Sequence, residues 1–537
     1  MIGARTAFSS LMFGLLLLAG MGAHALAAED FTAAVQSLNA KNFTAKGEAI
    51  EAVAATGHDR SVVVLRAMLD GRLYYRKKDR RVVIVERLDK GFRLTDAATG
   101  ETLGEVGKRK VRKIAINNKL RKRLRAALAR LSLAHHDPRV RHQSVTEMLA
   151  SVTPDTIPLL ESALARETDE AVSELLRTAL ALAALASTDR EQRLQALRTL
   201  EGNIQPEVAN RIRRLLDKEK DGAVRAAAQR ALTAIEDKLK FYGFLETLFF
   251  GLSLGSVLLL AAIGLAITFG VMGVINMAHG ELIMLGAYTT YLVQALMPDH
   301  LEYSLLVAIP AAFLVSGLFG IAIERGVIRF LYGRPLETLL ATFGISLLLQ
   351  QLVRTTISAQ NVTVANPQWM SGSLEINPVL SLTYNRLYIL LFALLVFIVL
   401  LLILKKTSLG LQVRAVSQNR AMARAIGIRS GWVDAMTFGL GSGIAGVAGV
   451  ALSQLTNVGP NMGQAYIIDS FMVVVFGGVG NLWGTLVGAF SLGVINKFLE
   501  PWSGAVLAKI VVLVFIILFI QKRPRGLFPQ KGRSAEH

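Results

Sequence analysis

The stretch GVINMAHGELIMLGAY, residues 273–288, sets Asn276, His279 and Glu281 within six residues of each other in otherwise apolar surroundings. An amide, an imidazole and a carboxylate at that spacing have the makings of a ligand cluster. Gly280 between them lets backbone polar groups be reached. A charged side chain at the centre of a membrane helix costs about 2.5–3.5 kcal/mol, so such a group needs a purpose or a partner. Three uses fit the residues: a break between two helices, a gate or path lining, or direct contact with a transported molecule. A catalytic use lacks support, because no serine in a glycine-rich turn is matched to a histidine on a second apolar segment.

The elements that must position this cluster follow from composition. The 537 residues are 52% hydrophobic and carry a formal charge of +19. Residues 28–240 hold about 40 of the 59 Lys and Arg and about 29 of the 40 Asp and Glu. Beyond residue 245, apolar runs of about 17–25 residues recur, the length needed to cross a bilayer. The first 27 residues read as a secretory signal peptide, with an apolar core LMFGLLLLAGMGA and a small-residue ALA end. The basic balance would suit nucleic acid, but export past the membrane removes that partner. A solvated face or anionic headgroups of membrane lipid fit runs such as RKKDRR (76–81) and KRKVRK (108–113) better. Cysteine is absent, which excludes disulfides and thiolate sites.

Within 28–240, residues 61–115 alternate in strand fashion between Gly and Asp signals and predict a small β-rich element. From 117 to 240 the pattern turns helical, in segments opened by Asp, Pro or Ser/Thr and striped at three- and four-residue spacing. These paired helices resemble HEAT-type repeats. LAHHDPRVRH (133–142) holds three histidines, but its spacing reads as a turn in which Asp137 caps a helix begun by Pro138, not as a metal site. GETLGEVGKRK lacks the glycine spacing of a phosphate loop.

The apolar half divides into nine candidate spans, about 246–270, 279–297, 303–324, 336–355, 386–404, 433–455, 466–480, 484–500 and 504–521. Arg325, Arg329, Arg334, Lys405, Lys406 and the tail QKRPRGLFPQKGR all fall on one side, while 356–385 has no Lys or Arg. By the positive-inside rule the first domain lies outside the cytoplasm and the carboxy terminus inside. The expected fold is therefore an all-α polytopic membrane domain of about nine spans, preceded by a mostly helical, HEAT-like extracytoplasmic domain with a small β element.

Two further stretches complete the candidates. SLGLQVRAVSQNRAMARAIGI (408–428) is a long basic loop, helical in period until Gly427, with Arg414, Arg420 and Arg424 on it. It fits either a rigid handle for a partner or an interfacial amphipathic helix. The glycine-rich GLGSGIAGVAG (439–449) and FGGVGNLWGTLVGAF (476–490) predict close helix packing. The second echoes the opening stretch, with Asn481 in the place of Asn276, as in transporters built from repeated halves.

The segment 251–288, the loop RAVSQNRAMARAIGI, FGGVGNLWGTLVGA and the closing RPRGLFP together resemble the permease subunits of branched-chain amino-acid ABC importers, over residues 245–530. A leader plus an exported domain of some 210 residues departs from that family's standard members and resembles its urea and short-chain-amide branch. The resemblance implies a non-catalytic inner-membrane subunit that binds no cofactor itself, ATP being used by two cytoplasmic ATPase partners. It also implies a second, related permease and a periplasmic substrate-binding protein. Arg414, Arg420, Arg424 and Gly427 then fall to ATPase contact, and Asn276, His279, Gly280, Glu281 and Asn481 to the translocation path or its gate. Urea or short-chain amides are the cargo that resemblance favours, branched-chain or other amino acids the alternative. A membrane-anchored sensor is the distant competitor, and it lacks an output domain.

Overall fold

The computed structural model describes residues 30–88 and 91–528. The expected leader at 1–27 lies outside the described residues. The chain divides into two compact units, Met1–Asp237 and Lys238–His537.

The first unit opens with three helices, α1 (30–37), α2 (Phe43–Ala55) and α3 (Ser61–Leu69). The strands expected from residue 61 begin only at Leu73. SVVVLRAML is β-branched, yet Val64, Leu65 and Met68 fall on one helical face and bury against Leu120, Leu124 and Leu128 of α4 (Asn118–Leu133). Tertiary packing overrides the local strand preference there. The five strands β1 (Leu73–Arg76), β2 (Val82–Leu88), β3 (Gly91–Asp96), β4 (Thr102–Val106) and β5 (Val111–Lys113) form one antiparallel sheet in the order β4-β3-β2-β1-β5. Val83, Val85, Phe92, Leu94 and Val111 gather on one face, while Leu73 and Val82 join the helical core on the other.

Six helices follow α3 and the sheet in this unit: α4, α5 (Pro138–Leu149), α6 (Ile157–Leu164), α7 (Glu170–Ala184), α8 (Arg190–Leu200) and α9 (Pro206–Leu216), and then the start of α10 (Gly222–Met272). A polar brace recurs among them at a shift of 52 residues (141 to 193, 167 to 219). Arg141 forks onto Glu167 at 2.8 and 2.6 Å and donates to the carbonyls of His135 and His136. Arg193 pairs with Glu219 at 3.0 Å and donates to the carbonyls of Ser187 and Thr188. Glu167 accepts from the Thr168 and Asp169 amides, as Glu219 does from those of Lys220 and Asp221. Asp137, Asp169, Asp189 and Asp221 each cap the helix that follows. The histidine-rich turn is therefore a cap and a carbonyl pair for Arg141.

The hydrogen bonds from Arg141 hold the Glu167 carboxyl down to about 2. A depressed carboxylate stabilises the fold fully above its unfolded value, near 4.3, and that contribution fades as pH falls toward 2. Breaking a buried pair costs about 3 kcal/mol or more. Arg141→Ala should therefore raise hydrogen–deuterium exchange in α5–α7 strongly at pH 7, and its difference from the unsubstituted chain should shrink between pH 4 and pH 2.

The second unit holds the apolar end of α10, then α11 (His279–Leu296), α12 (Leu301–Gly326), α13 (Pro335–Thr356), α14 (Tyr384–Lys406), α15 (Ser408–Gln418), α16 (Arg420–Ala425), α17 (Ser430–Ser453), α18 (Met462–Gly477) and α19 (Leu482–Lys522). Six helices among the described residues are long and apolar enough to cross a membrane: α10, α12 with its flanking turns, α13, α14, α17 and α19. α18 has 16 residues, and α11 carries the polar cluster at its start. α19 kinks at Gly504, where φ is 78°, three residues after Pro501. A two-stranded hairpin, β6 (Ser373–Glu375) and β7 (Ser381–Thr383), sits between α13 and α14.

Glycines decide which helices touch. A methyl group on Gly286 of α11 would collide with the Gly446 backbone of α17, and one on Gly449 with the Ile283 carbonyl. Gly443 faces Phe313 of α12, Gly441 faces the Gly264 carbonyl of α10, and Gly280 abuts the Gly463 backbone of α18. One glycine-rich helix, α17, thus contacts α10, α11 and α12 on three sides.

Candidate functional site

α10 ends at Met272 because Gly273 turns into left-handed backbone, φ 68°. The chain then runs irregularly to His279, where α11 starts. Asn276 Oδ1 accepts from the Ala278 amide at 3.0 Å. His279 Nε2 lies 2.8 Å from the Ala261 carbonyl oxygen; a carbonyl can only accept, so Nε2 carries the proton. Glu281 Oε1 accepts from Ser346 Oγ at 2.9 Å and from Gln350 Nε2 at 2.7 Å, both on α13. The Met277 amide donates to Thr342 Oγ1 at 3.1 Å.

All three candidate side chains are buried, and each keeps one atom without a hydrogen-bond partner: Asn276 Nδ2, His279 Nδ1 and Glu281 Oε2. Ser346 and Gln350, which bond Glu281, and Thr342, which bonds the Met277 amide, belong with Thr338 to a buried stripe at four-residue spacing along α13. Leu336, Leu340 and Leu348 are exposed on the other side of that helix. The sequence reading passed over this stripe, although a four-residue period of Thr, Ser and Gln in an apolar helix is a visible signal. Asp434, a lone carboxylate in the apolar α17, was passed over too.

Asn481 is not part of the cluster. It caps α19, accepting from the Trp483 and Gly484 amides at 3.1 and 3.2 Å and donating to the Phe528 carbonyl. The echo between the two stretches is structural in kind. Asn481 is the cap of α19 and Asn276 lies in the turn before α11, and in both stretches the glycine that follows (Gly280 or Gly484) abuts a partner backbone, Gly463 or Gly477.

The basic loop is two helices, not one. Asn419 breaks it, with extended backbone and a side chain that accepts from the Met422 amide at 2.9 Å. Gly427 ends α16 at φ 90°, with the Gly427 amide bonded to the Arg424 carbonyl and the Ile428 amide to that of Ala423, a Schellman closure. The three arginines all bind within the chain. Arg414 donates to the Leu404 carbonyl, Arg424 to Ser430 Oγ at 2.7 Å, and Arg420 forks onto Asp434 at 2.8 and 2.9 Å. Met422 and Ile426 of the loop and Trp432 at the start of α17 are 62%, 71% and 56% exposed, among exposed polar residues that include Arg414, Gln418 and Arg424. An open cleft beside them is lined by Arg325, Arg424, Gly427, Arg429 and Trp432. Among the described residues no group of three His, Asp or Glu is placed to hold a metal ion.

A bundle of apolar helices enclosing a polar turn, with a separate amphipathic loop, is the build of a multi-pass membrane permease. Residues 247–520 match the family model for the permease component of branched-chain amino acid transport systems. The chain is 32% identical over 297 residues to the high-affinity branched-chain amino acid transport permease LivH of Salmonella typhimurium, covering 54% of this chain and 96% of that protein. It is 31% identical over 297 residues to BraD of Pseudomonas aeruginosa, again covering 96% of it. A ribose import permease of Bacillus subtilis is 30% identical over 131 residues, which is 23% of this chain and 41% of that one. No solved structure matches. The chain belongs to the branched-chain amino acid permease family, and is a non-catalytic, inner-membrane permease subunit of the ABC-importer type.

Glu281 supplies a direct check on the polar turn. Glu281→Leu strands the Ser346 and Gln350 donors, at about 1–3 kcal/mol for each buried group left unpaired. Glu281→Gln keeps an acceptor at the same place. The leucine variant should therefore melt several degrees below the glutamine variant when the detergent-solubilised proteins are compared by differential scanning fluorimetry.

Proposed function

We propose that the chain forms half of the translocation path of an ATP-driven importer for branched-chain amino acids. A second, related permease forms the other half, two cytoplasmic ATPases drive the pair, and a periplasmic binding protein delivers cargo. The observation that carries this reading is that the family match, residues 247–520, coincides with the unit holding both the polar turn and the α15–α16 loop. ATP chemistry falls to other subunits because the sequence has no phosphate-loop pattern.

In this reading all nine apolar segments cross the membrane, with α19 counted twice about its Gly504 kink. The basic residues after α12 and α14 and in the tail then face the cytoplasm, and the first unit is periplasmic, behind a leader. The repeated Arg–Glu brace supports taking that unit as a short HEAT-like solenoid. The polar turn serves as gate or path lining, and the unpartnered oxygen of Glu281 suits the ammonium group of an amino acid. Met422, Ile426 and Trp432 meet the ATPase, with Arg414, Arg420 and Arg424 shaping the loop from within.

Urea or a short-chain amide is the second reading. It is favoured by the soluble unit, which lies outside the family match, whereas the LivH and BraD relatives are almost wholly covered by the matched residues.

Uptake decides between them. In a strain lacking its own importers, the assembled system should accumulate radiolabelled leucine, and unlabelled valine or isoleucine should compete. Accumulation of urea without leucine would reverse the order of the two readings. Deleting residues 28–240 should lower uptake far more than it lowers ATP hydrolysis by the purified complex; full uptake by the truncated complex would remove the delivery role from that unit. Gly427→Leu forces a branched side chain into left-handed backbone, a cost of about 1–3 kcal/mol at the end of α16. It should lower uptake per ATP hydrolysed, and an unchanged ratio would take the loop out of coupling.

A further inference from the structure

We infer that Arg420 is a positioning residue for transport, the link by which displacement of α16 reaches α12 and α17 together. The inference rests on reading the α15–α16 loop as the surface moved by a partner ATPase.

Its geometry differs from that of the neighbouring arginines. Arg414 holds a carbonyl of the helix before the loop, and Arg424 a serine hydroxyl. Arg420, at the first position of α16, meets a buried carboxylate with both arms of its fork. Asp434, on the second turn of α17, has 1% of its side chain exposed, against 30% for Arg420. The same guanidinium lies 4.9 Å over the ring of Tyr332, in the turn after α12. The Tyr332 hydroxyl donates to Glu324 Oε1 at 3.0 Å, and Glu324 is buried in the last turn of α12. One cation thus faces three elements: its own helix, the start of α17, and the end of α12 through a tyrosine.

Two physical points turn this junction into a transmission element. The first is stiffness. A bidentate Arg–carboxylate pair has fixed distance and orientation, and opening it would leave Asp434 as an uncompensated buried charge. Pushing α16 therefore carries the pair along in preference to parting it. The second is what the pair is attached to. α12 and α17 pack along their length through glycine, with Gly443 against Phe313 and Gly446 against the Ala312 carbonyl and Ser316. α17 also packs on α11, which starts with the polar turn. A shift at Asp434 is thereby delivered to a contiguous, close-packed set of helices that ends at His279 and Glu281.

The test uses the full complex, purified with its ATPases and binding protein and reconstituted in liposomes, with radiolabelled leucine or urea as probe, whichever the unsubstituted complex accumulates. Co-purification of the ATPases with the unsubstituted chain checks the reading of the loop, and its failure strikes that reading alone. Arg420→Ala is expected to keep the ATPases bound and hydrolysis within about twofold, while uptake per ATP falls about tenfold or more. Asp434→Ala should do the same. The exchanged pair Arg420→Asp with Asp434→Arg should recover uptake per ATP to within about threefold of the original, which loss of folding alone would not predict. If Arg420→Ala does not fold, Arg420→Lys keeps the charge without the fork and should give an intermediate ratio. An unchanged ratio in Arg420→Ala or, failing that, in Arg420→Lys overturns the inference. So does a loss of uptake and hydrolysis in parallel that the exchanged pair does not repair.

Discussion

A hydrocarbon interior offers no water to a polar group, and the second unit is arranged around that single constraint. From His279 to Thr290, α11 carries a histidine, a glutamate, a tyrosine and two threonines, and every residue of that stretch is buried. Such a helix survives in a membrane only when other helices enclose it. Enclosure at backbone distance in turn requires residues with no side chain at the crossings. Gly280, Gly286, Gly446, Gly449 and Gly463 meet that need. The lipid-facing side chains fall instead to helices further out, where Leu314, Leu340, Leu391 and Leu395 are exposed. Polarity in the middle and glycine at the crossings are thus one requirement stated twice.

The buried carboxylates extend the same logic. Glu281 takes hydrogen bonds from α13, Asp434 an arginine from α16, and Asp469 of α18 a lysine from α19 at 2.9 Å. Each partner comes from a different helix. Each of these three carboxylates therefore marks a place where its helix is held to one specific neighbour, which dispersion forces between aliphatic side chains would not specify. Glu281 differs from Asp434 in one respect: one of its oxygens accepts two hydrogen bonds while the other has none. In the function we propose, that free oxygen is what would meet a moving ligand, whereas both oxygens of Asp434 are held by one guanidinium.

Much of this was legible in the residues, for reasons that differ by element. Apolar runs and their flanking charges locate membrane helices because hydropathy over some 20 residues is a local property. The polar turn stands out because its residue types are expensive there. Partners are another matter. That Gly280 meets Gly463, or Arg420 meets Asp434, depends on which helix lies alongside, and no local pattern encodes it. Asn419 shows a finer limit, since the periodicity of 408–428 continues smoothly across a position where one side-chain cap ends the helix. Asn481 shows the opposite case: it caps α19, whereas Asn276 lies ahead of the Ala278 cap of α11, and what the two stretches share is a glycine packed on a partner backbone. The repeat in the first unit was legible in principle, because Asp137 and Asp189, Arg141 and Arg193, and Glu167 and Glu219 stand in strict register. What that register does not say is that each arginine closes on its glutamate, which depends on how the helices pack.

The two units use the same chemical device under different rules. In the first, Arg141 and Arg193 each clamp a glutamate that accepts from the amides just before a later helix, and the device ties α5 to the start of α7 and α8 to the start of α10. Repetition at a constant interval makes it a scaffold, since every copy does the same thing. In the second, among the described residues, one arginine forks onto a buried carboxylate, Arg420 on Asp434, at the boundary between an exposed loop and buried helices. A brace that appears once, at the place where an outside force would enter, has nothing to repeat and everything to transmit. On that difference the repeated pairs belong to shape, and the single one to the working of the permease.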